Sequence, residues 1–283
     1  MTTGQEVDMP GFDYHGGVRG VVLDWSGTTV DAYVLAPAKV FVEVFRKHGV
    51  EISMSEARAP MGLRKDLHIA ALLEDAGIRA RWHKAHGREP TEDDVARMYS
   101  DFVPMQLECL REYSNLLPGA AETVRALQAR CIKVGCTTGF TRAMVDILEE
   151  ETAKHGYVLD ASVAGDEVAN GVRPRPFMLY RNLELMDVHP VCSVVKVDDT
   201  TSGIGEALEA GCWGVGVARY SNYMDVDSLE QAAGLSEGEI AKRVQTAKEI
   251  LKNAGAHYVI DSLADLPEVI EDIEARLSRK ESP

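Results

Sequence analysis

Short apolar runs alternate along the chain with longer segments whose apolar residues recur at helical spacing. The short runs predict buried strands, and the longer segments between them predict helices. The predicted strands occupy residues 20–23, 132–136, 162–164, 193–197, 213–218 and 257–260. Strands that alternate with helices indicate parallel βαβ units. The pattern therefore predicts an α/β fold with a doubly wound, Rossmann-like parallel sheet.

One long stretch interrupts this alternation. Between residues 34 and 115 the apolar positions follow helical spacing throughout, with Ser53 or Ser55 and Thr91 as candidate helix caps. We predict a helical cap domain over 34–115, inserted into a catalytic core formed by 1–33 and 116–283. A polar loop is expected over 219–235, after the fifth strand.

Composition narrows the classes of function. The chain has 283 residues and a formal net charge of −15, which argues against nucleic acid or an anionic membrane surface as a partner. No apolar run approaches the length of a membrane span, and residues 1–17 lack the apolar core of a signal peptide. Five scattered cysteines favour a reducing compartment. We expect a cytoplasmic protein that acts on a small molecule.

Polar residues suited to phosphate chemistry follow several predicted strands. Asp24 follows the first strand, Thr138 follows the second, and Asp198 and Asp199 follow the fourth, while Arg173 lies in a neighbouring loop. Taken singly, each of these residues has a purely structural explanation, as a helix cap, a turn residue or a surface cation. Ligands of open α/β sheets bind at the carboxyl ends of strands, where these residues would meet. Together they predict phosphoryl transfer to a carboxylate with Mg²⁺.

These segments resemble motifs one to four of the haloacid dehalogenase superfamily, from about Arg19 to Ala218. The resemblance implies that Asp24 is a nucleophile toward phosphorus. Phosphatases of the superfamily carry a second Asp two residues later as general acid, and this chain has Ser26 there. General acid catalysis contributes roughly 10²–10⁴-fold, so expulsion of a sugar alkoxide should be poor.

Two stretches resemble a more specific family, the phosphonoacetaldehyde hydrolases. They are Asp-Trp-Ser-Gly-Thr-Thr-Val-Asp at 24–31 and Met-Gly-Leu-Arg-Lys-Asp-Leu-His at 61–68. The resemblance implies that Lys65 forms an imine with an aldehyde and that His68 shuttles protons. It also implies a homodimer and a bound Mg²⁺ ion. The implied metal ligands are Asp24, Asp199 and the backbone carbonyl of Ser26, and the implied substrate- and phosphate-binding residues are Thr28, Met61, Gly62, Thr138, Gly139 and Arg173.

Alternatives remain open at the level of sequence. The chain could be a phosphomonoesterase or phosphomutase of the same superfamily, a hydrolase of a substituted phosphonoaldehyde, or a phosphate-binding protein without turnover. A lysine such as Lys65 is most often a solvated helix residue. The chain also departs from the family pattern at Phe140, where some members have tyrosine, at Arg64, and at Gly203, where some have an acidic residue. We expect Asp198 to support the site without binding the ion directly.

Overall fold

Six parallel strands form one sheet in the described part of the chain, residues 14–170 and 173–283 of a computed structural model. The strands are β1 (Gly20–Leu23), β2 (Lys133–Thr138), β3 (Ala161–Ala164), β4 (Val194–Asp198), β5 (Trp213–Val217) and β6 (Tyr258–Ile260). Their order is β3-β2-β1-β4-β5-β6, and every neighbouring pair is parallel. This confirms the predicted fold class. The prediction that residues 1–17 lack the apolar core of a signal peptide concerns mostly residues outside the described part of the chain. Positions 171 and 172 also lie outside it.

Twelve α-helices accompany the sheet among these residues. They are α1 (Leu35–Lys47), α2 (Met54–Arg58), α3 (Lys65–Glu74), α4 (Ala76–His86), α5 (Glu92–Cys109), α6 (Ala120–Ala129), α7 (Arg142–Ala153), α8 (Phe177–Met186), α9 (Thr201–Ala210), α10 (Leu229–Gly234), α11 (Glu237–Asn253) and α12 (Leu266–Ser278).

Helices cover both faces of the sheet because successive side chains of a strand point to opposite faces. Val21 belongs to a core that includes Val124 of α6 and Ile270 of α12. Val22 belongs to a second core with Leu179 of α8. Both sides of β1 are thus apolar, which explains its unbroken apolar run.

Helices α1 to α5 lie in the predicted insertion between β1 and β2. They pack around aromatic side chains, with the rings of Phe41 and Phe102 stacked 4.5 Å apart. Ser53, rather than Ser55, caps α2 in a capping box with Glu56, and Thr91 caps α5. The domain limits at 33/34 and 115/116 stay a prediction.

A strained turn leads from β1 into α1. Asp31, Tyr33 and Val34 all have positive φ angles, of 52°, 67° and 55°, a region that is unfavourable for a β-branched residue such as Val34. The buried Asp31 carboxylate accepts hydrogen bonds from the backbone N–H groups of Leu35 and Ala36. Burial raises the pKa of Asp31 to about 7. Asp31 therefore holds the first turn of α1 in place of a conventional cap.

Two local predictions were wrong. Residues 219–235 are not a continuous loop, because α10 forms within them from a Ser228 cap. This helix buries none of its residues, so it produces little hydrophobic periodicity for sequence analysis to detect. Strand β2 also extends to Thr138, two residues beyond its predicted end.

Candidate active site

A small cavity opens at the carboxyl ends of β1, β2 and β4. The core and the helical insertion both contribute to its wall. The lining residues are Asp24, Ser26, Val34, Pro37, Met61, Gly62, Lys65, Thr138, Gly139, Phe140, Arg173, Asp199 and Thr200.

Three buried carboxylates gather beside this cavity. Asp24, Asp198 and Asp199 each offer an oxygen, and these oxygens lie within 4.8 Å of one another. The Asp199 Oδ2 atom accepts a hydrogen bond of 2.7 Å from the Asn222 backbone N–H, whereas its Oδ1 atom is buried without a protein partner. Such an oxygen, beside a second carboxylate that lines the cavity, fits a Mg²⁺ ion.

Asp198 has a different environment. Its oxygens accept hydrogen bonds from Lys196 Nζ at 2.8 Å and Thr200 Oγ1 at 2.7 Å, and it does not line the cavity. A Cβ atom at position 203 would lie 1.9 Å from the Asp198 Cγ atom. Gly203 therefore leaves room for the Asp198 carboxylate, which accounts for one departure from the family pattern.

The carboxylates repel one another in this buried setting. Burial and the nearby Asp198 raise the pKa of Asp24 to about 6, although Arg173 opposes the change. Burial, Asp198 and Asp24 raise the pKa of Asp199 well above its usual value. Burial alone would do the same for Asp198, but Arg173 and Lys196 lower its pKa. A bound cation would favour the charged forms of Asp24 and Asp199.

Arg173 connects these groups. Its Nη2 atom donates to Asp24 Oδ1 at 2.9 Å and to the Thr137 carbonyl at 2.8 Å. Its Nε atom donates to Glu206 Oε2 at 3.1 Å, and Nη1 lies 3.3 Å from Asp198 Oδ2. The guanidinium is almost fully buried and holds the Asp24 carboxylate in place.

Sequence reasoning missed three members of this network. Thr137 donates to Glu206 through its hydroxyl at 2.9 Å, and Lys196 lies 3.9 Å from the same carboxylate. Both Lys196 and Glu206 are fully buried. The sequence signal that could have revealed Lys196 and Glu206 is a charged residue inside an apolar strand or on an apolar helix face. Such a residue is expected to be buried, and buried charges are normally paired.

Lys65 reaches the cavity from the insertion. It is the first residue of α3 and is 4% exposed. Its Nζ atom lies 4.9 Å from the centroid of the Phe140 ring and 5.8 Å from that of Phe41. Burial lowers the pKa of Lys65 to about 8, with a further contribution from Arg173 and opposition from Asp24.

His68 lies one helical turn after Lys65 and is fully buried outside the cavity lining. Its Nε2 atom is 2.8 Å from the Ala57 carbonyl, which requires Nε2 to carry the proton. Nδ1 has no protein partner, and the ring stacks on Phe41. Burial, with Lys65 nearby, lowers the pKa of His68 well below its usual value. The lowered pKa favours the neutral imidazole, in which Nδ1 carries a lone pair.

Two glycines allow the insertion to approach the core closely. Gly62 has a φ of +92°, and a Cβ atom there would lie 2.0 Å from Ser202 Oγ. A Cβ atom at Gly139 would lie 2.6 Å from the Leu63 carbonyl oxygen. Both contacts tolerate only hydrogen at the α-carbon.

Most residues predicted for the site line this one cavity. Thr28 does not: it is buried, and its hydroxyl has no protein partner. Arg64 forms a two-hydrogen-bond pair with Asp66 at 2.8 Å. Val34, Pro37 and Thr200 were missed as lining residues. Thr200 directly follows Asp198 and Asp199, whereas the sequence context of Val34 and Pro37 does not distinguish them from packing residues.

Comparison with known proteins places the chain among established families. The haloacid dehalogenase-like hydrolase profile matches residues 18–211. The chain is 43% identical to the phosphonoacetaldehyde hydrolase of Nitratidesulfovibrio vulgaris, over 95% of this chain and 96% of that one. It is 42% identical to that of Klebsiella pneumoniae, over 94% and 99%. The chain belongs to the phosphonoacetaldehyde hydrolase family.

Solved structures agree with this membership. A phosphonoacetaldehyde hydrolase-like protein from Oleispira antarctica is 39% identical and superposes with a TM-score of 0.92, over 95% of this chain and 97% of that one. A β-phosphoglucomutase from Clostridium difficile, 17% identical with a TM-score of 0.64, shares the fold alone. Among the described residues of this family member, no helix has both the length and the apolar character needed to cross a membrane.

Proposed function

We propose that the protein hydrolyses the P–C bond of phosphonoacetaldehyde to acetaldehyde and phosphate. Asp24 is the nucleophile, and Lys65 forms an imine with the aldehyde. The observation that carries the proposal is a buried amine with a pKa of about 8 on the same cavity as a buried carboxylate. The names of the relatives support the same substrate.

The first step is imine formation. At pH 7 a pKa of about 8 leaves roughly a tenth of the Lys65 amine unprotonated, about 300-fold more than a pKa of 10.5 would. The free amine attacks the aldehyde carbon, one proton is taken up from solvent, water leaves, and a protonated imine results. We assign the proton transfers of this step to His68, whose Nδ1 atom is unprotonated and has no protein partner.

The second step is transfer of phosphorus to Asp24. A carboxylate oxygen of Asp24 attacks phosphorus, and the P–C bonding electrons move to carbon and into the imine, giving an enamine and an aspartyl phosphate. Water then hydrolyses the aspartyl phosphate. The enamine is protonated at carbon and hydrolysed to acetaldehyde, which regenerates Lys65. No alkoxide leaves, so Ser26 need not be an acid.

Binding roles follow from the cavity wall. We propose that Asp24, Asp199 and the backbone carbonyl of Ser26 would hold Mg²⁺, which offsets the repulsion between Asp24 and an anionic phosphonate. Thr138, Gly139 and Arg173 are assigned to the phosphonate group, and Met61 and Gly62 to the aldehyde side. We also propose that the protein works in the cytoplasm as a homodimer, which the family resemblance and the cysteine usage support.

The decisive test is phosphate release from phosphonoacetaldehyde with Mg²⁺, compared between wild type, Lys65→Arg and the exposed-residue control Lys84→Arg. Wild type and the control should release phosphate, and Lys65→Arg should not, because a guanidinium cannot form the imine. Borohydride added during turnover should convert Lys65 to N-ethyl-lysine, located by peptide mass spectrometry.

Other outcomes of this test would refute or change the proposed function. Phosphate release that Lys65→Arg retains would refute the imine mechanism. Turnover of an aryl phosphate but not of the phosphonate, independent of Lys65, would identify a phosphomonoesterase. Activity only on a substituted phosphonoaldehyde would keep the mechanism and change the substrate.

A further inference from the structure

A buried arginine of the insertion forms hydrogen bonds and ion pairs with a loop of the core. Arg58, at the end of α2, has a side chain only 5% exposed, although its ion-pair partners Asp225 and Asp227 are 68% and 54% exposed. Its Nη1 atom lies 2.5 Å from Asp227 Oδ1, and Nη2 donates to the Val226 carbonyl. The contact between insertion and core is therefore what buries this guanidinium.

Asn222 belongs to the same core loop and donates two hydrogen bonds to different partners. Its side-chain amide donates to the Arg58 carbonyl at 3.1 Å. Its backbone N–H donates to Asp199 Oδ2 at 2.7 Å. A single residue thus contacts both the insertion and the carboxylate assigned to Mg²⁺.

This contact decides which oxygen of Asp199 is free. Because the Asn222 N–H binds Oδ2, the Oδ1 atom of this cavity-lining residue is left buried without a protein partner. The Arg58 carbonyl also accepts from the backbone N–H of Met61, a cavity residue. The segment that carries Met61 and Gly62 and the loop that orients Asp199 therefore meet at one carbonyl group.

We propose that Arg58 and Asn222 are positioning residues that couple docking of the insertion to the orientation of Asp199 toward its cation. The inference rests on the proposed function only in assigning Asp199 to Mg²⁺. With the insertion docked, the 221–227 loop is held from both sides and Asp199 is oriented. Coupling of this kind is reciprocal, so Mg²⁺ in turn favours the docked insertion.

Calorimetric titration with Mg²⁺ alone tests this coupling without turnover. Arg58→Met and Asn222→Ala should each raise the Mg²⁺ dissociation constant about 5–10-fold, within the range for coupled sites. Asn222→Ala keeps the backbone N–H that contacts Asp199, so its effect must come from the lost bond to the insertion. Arg58→Lys should restore part of the affinity, and the exposed control Arg79→Met should match wild type.

The double variant gives a second criterion. Residues that act through one link are not additive, so Arg58→Met with Asn222→Ala should bind Mg²⁺ about as weakly as the weaker single variant. Unchanged Mg²⁺ affinity in folded Arg58→Met, with only a lower melting temperature, would mean a purely structural role and overturn the inference. If Asp199→Asn itself leaves Mg²⁺ affinity unchanged, the metal assignment fails and the inference with it.

Discussion

Lysines at the start of helices are ordinarily solvated, whereas Lys65 is enclosed by aromatic rings and ionised groups. The charged groups that influence its pKa are Asp24, Asp31 and Arg173. Burial outweighs the two carboxylates, so the amine loses its proton more easily than a surface lysine does. The chemistry proposed for this residue depends on that environment.

The pH dependence of kcat/KM follows from the lowered pKa. The unprotonated amine is the reactive form, so kcat/KM should rise about tenfold per pH unit below pH 8 and level off above it. Steady-state assays from pH 6 to 9.5 would measure this ascending limb. A profile that is flat from pH 7 to 9 would contradict the assignment of Lys65.

Phe140 gives a second prediction at this scale. A cation 4.9 Å from a ring centroid gains about 0.5–2 kcal/mol, and both the ammonium and the protonated imine benefit. Phe140→Leu should therefore lower kcat/KM about 2–30-fold and move the ascending limb of the pH profile to lower pH. Phe140→Tyr keeps a ring and should leave the limb in place. An unshifted limb in Phe140→Leu would count against the ring contact.

Helices of the insertion bring Lys65 to the carboxyl ends of the strands. The close contacts at Gly62 and Gly139 determine how closely the insertion approaches the core. Asp31 holds the start of α1, where the chain leaves β1 through a turn with positive φ angles. The Leu63 carbonyl sits against the backbone of Gly139, which follows β2. The relative placement of α3 and β2 therefore depends on a contact that has no room for a side chain.

Gly139→Ala tests that contact. The added methyl would lie 2.6 Å from the Leu63 carbonyl oxygen, so the insertion must move away from the core. We expect kcat/KM to fall at least about tenfold, since a displacement of 1 Å can cost about 10²-fold. Kinetics and melting temperature should be compared with Gly238→Ala, a site with open space. Equal kinetics for the two variants would show that the close approach is unimportant.

Around the cavity of the molecule as a whole, the described residues include more buried carboxyl groups than buried cationic side chains. Asp24, Asp198, Asp199 and Glu206 lie near the permanent cation Arg173 and the buried lysines Lys65 and Lys196. Burial of like charges is unfavourable without a compensating cation. The folded protein should therefore be more stable with Mg²⁺ than without it.

Removal of Mg²⁺ should lower the melting temperature. A ligand at 100 times its dissociation constant stabilises the folded state by about 2.7 kcal/mol. For a chain of 283 residues that corresponds to a shift of about 4–5 °C. Scanning calorimetry with EDTA and with saturating Mg²⁺ measures it. Asp199→Asn should lose the shift and the exposed-residue control Asp93→Asn should keep it; an equal shift in both would argue against Asp199 as a ligand.

The sequence by itself determined the alternation of strands and helices, the helical insertion and the candidate residues at the strand ends. These are local properties, because periodicity, caps and short motifs involve neighbours along the chain. Only the tertiary structure decided the pKa of Lys65, the pairing of Arg173 with Glu206, and the contact of Arg58 with Asp227. Burial and ion pairing depend on residues that lie far apart in sequence, such as 58 and 227. No local sequence pattern encodes which of these residues come into contact.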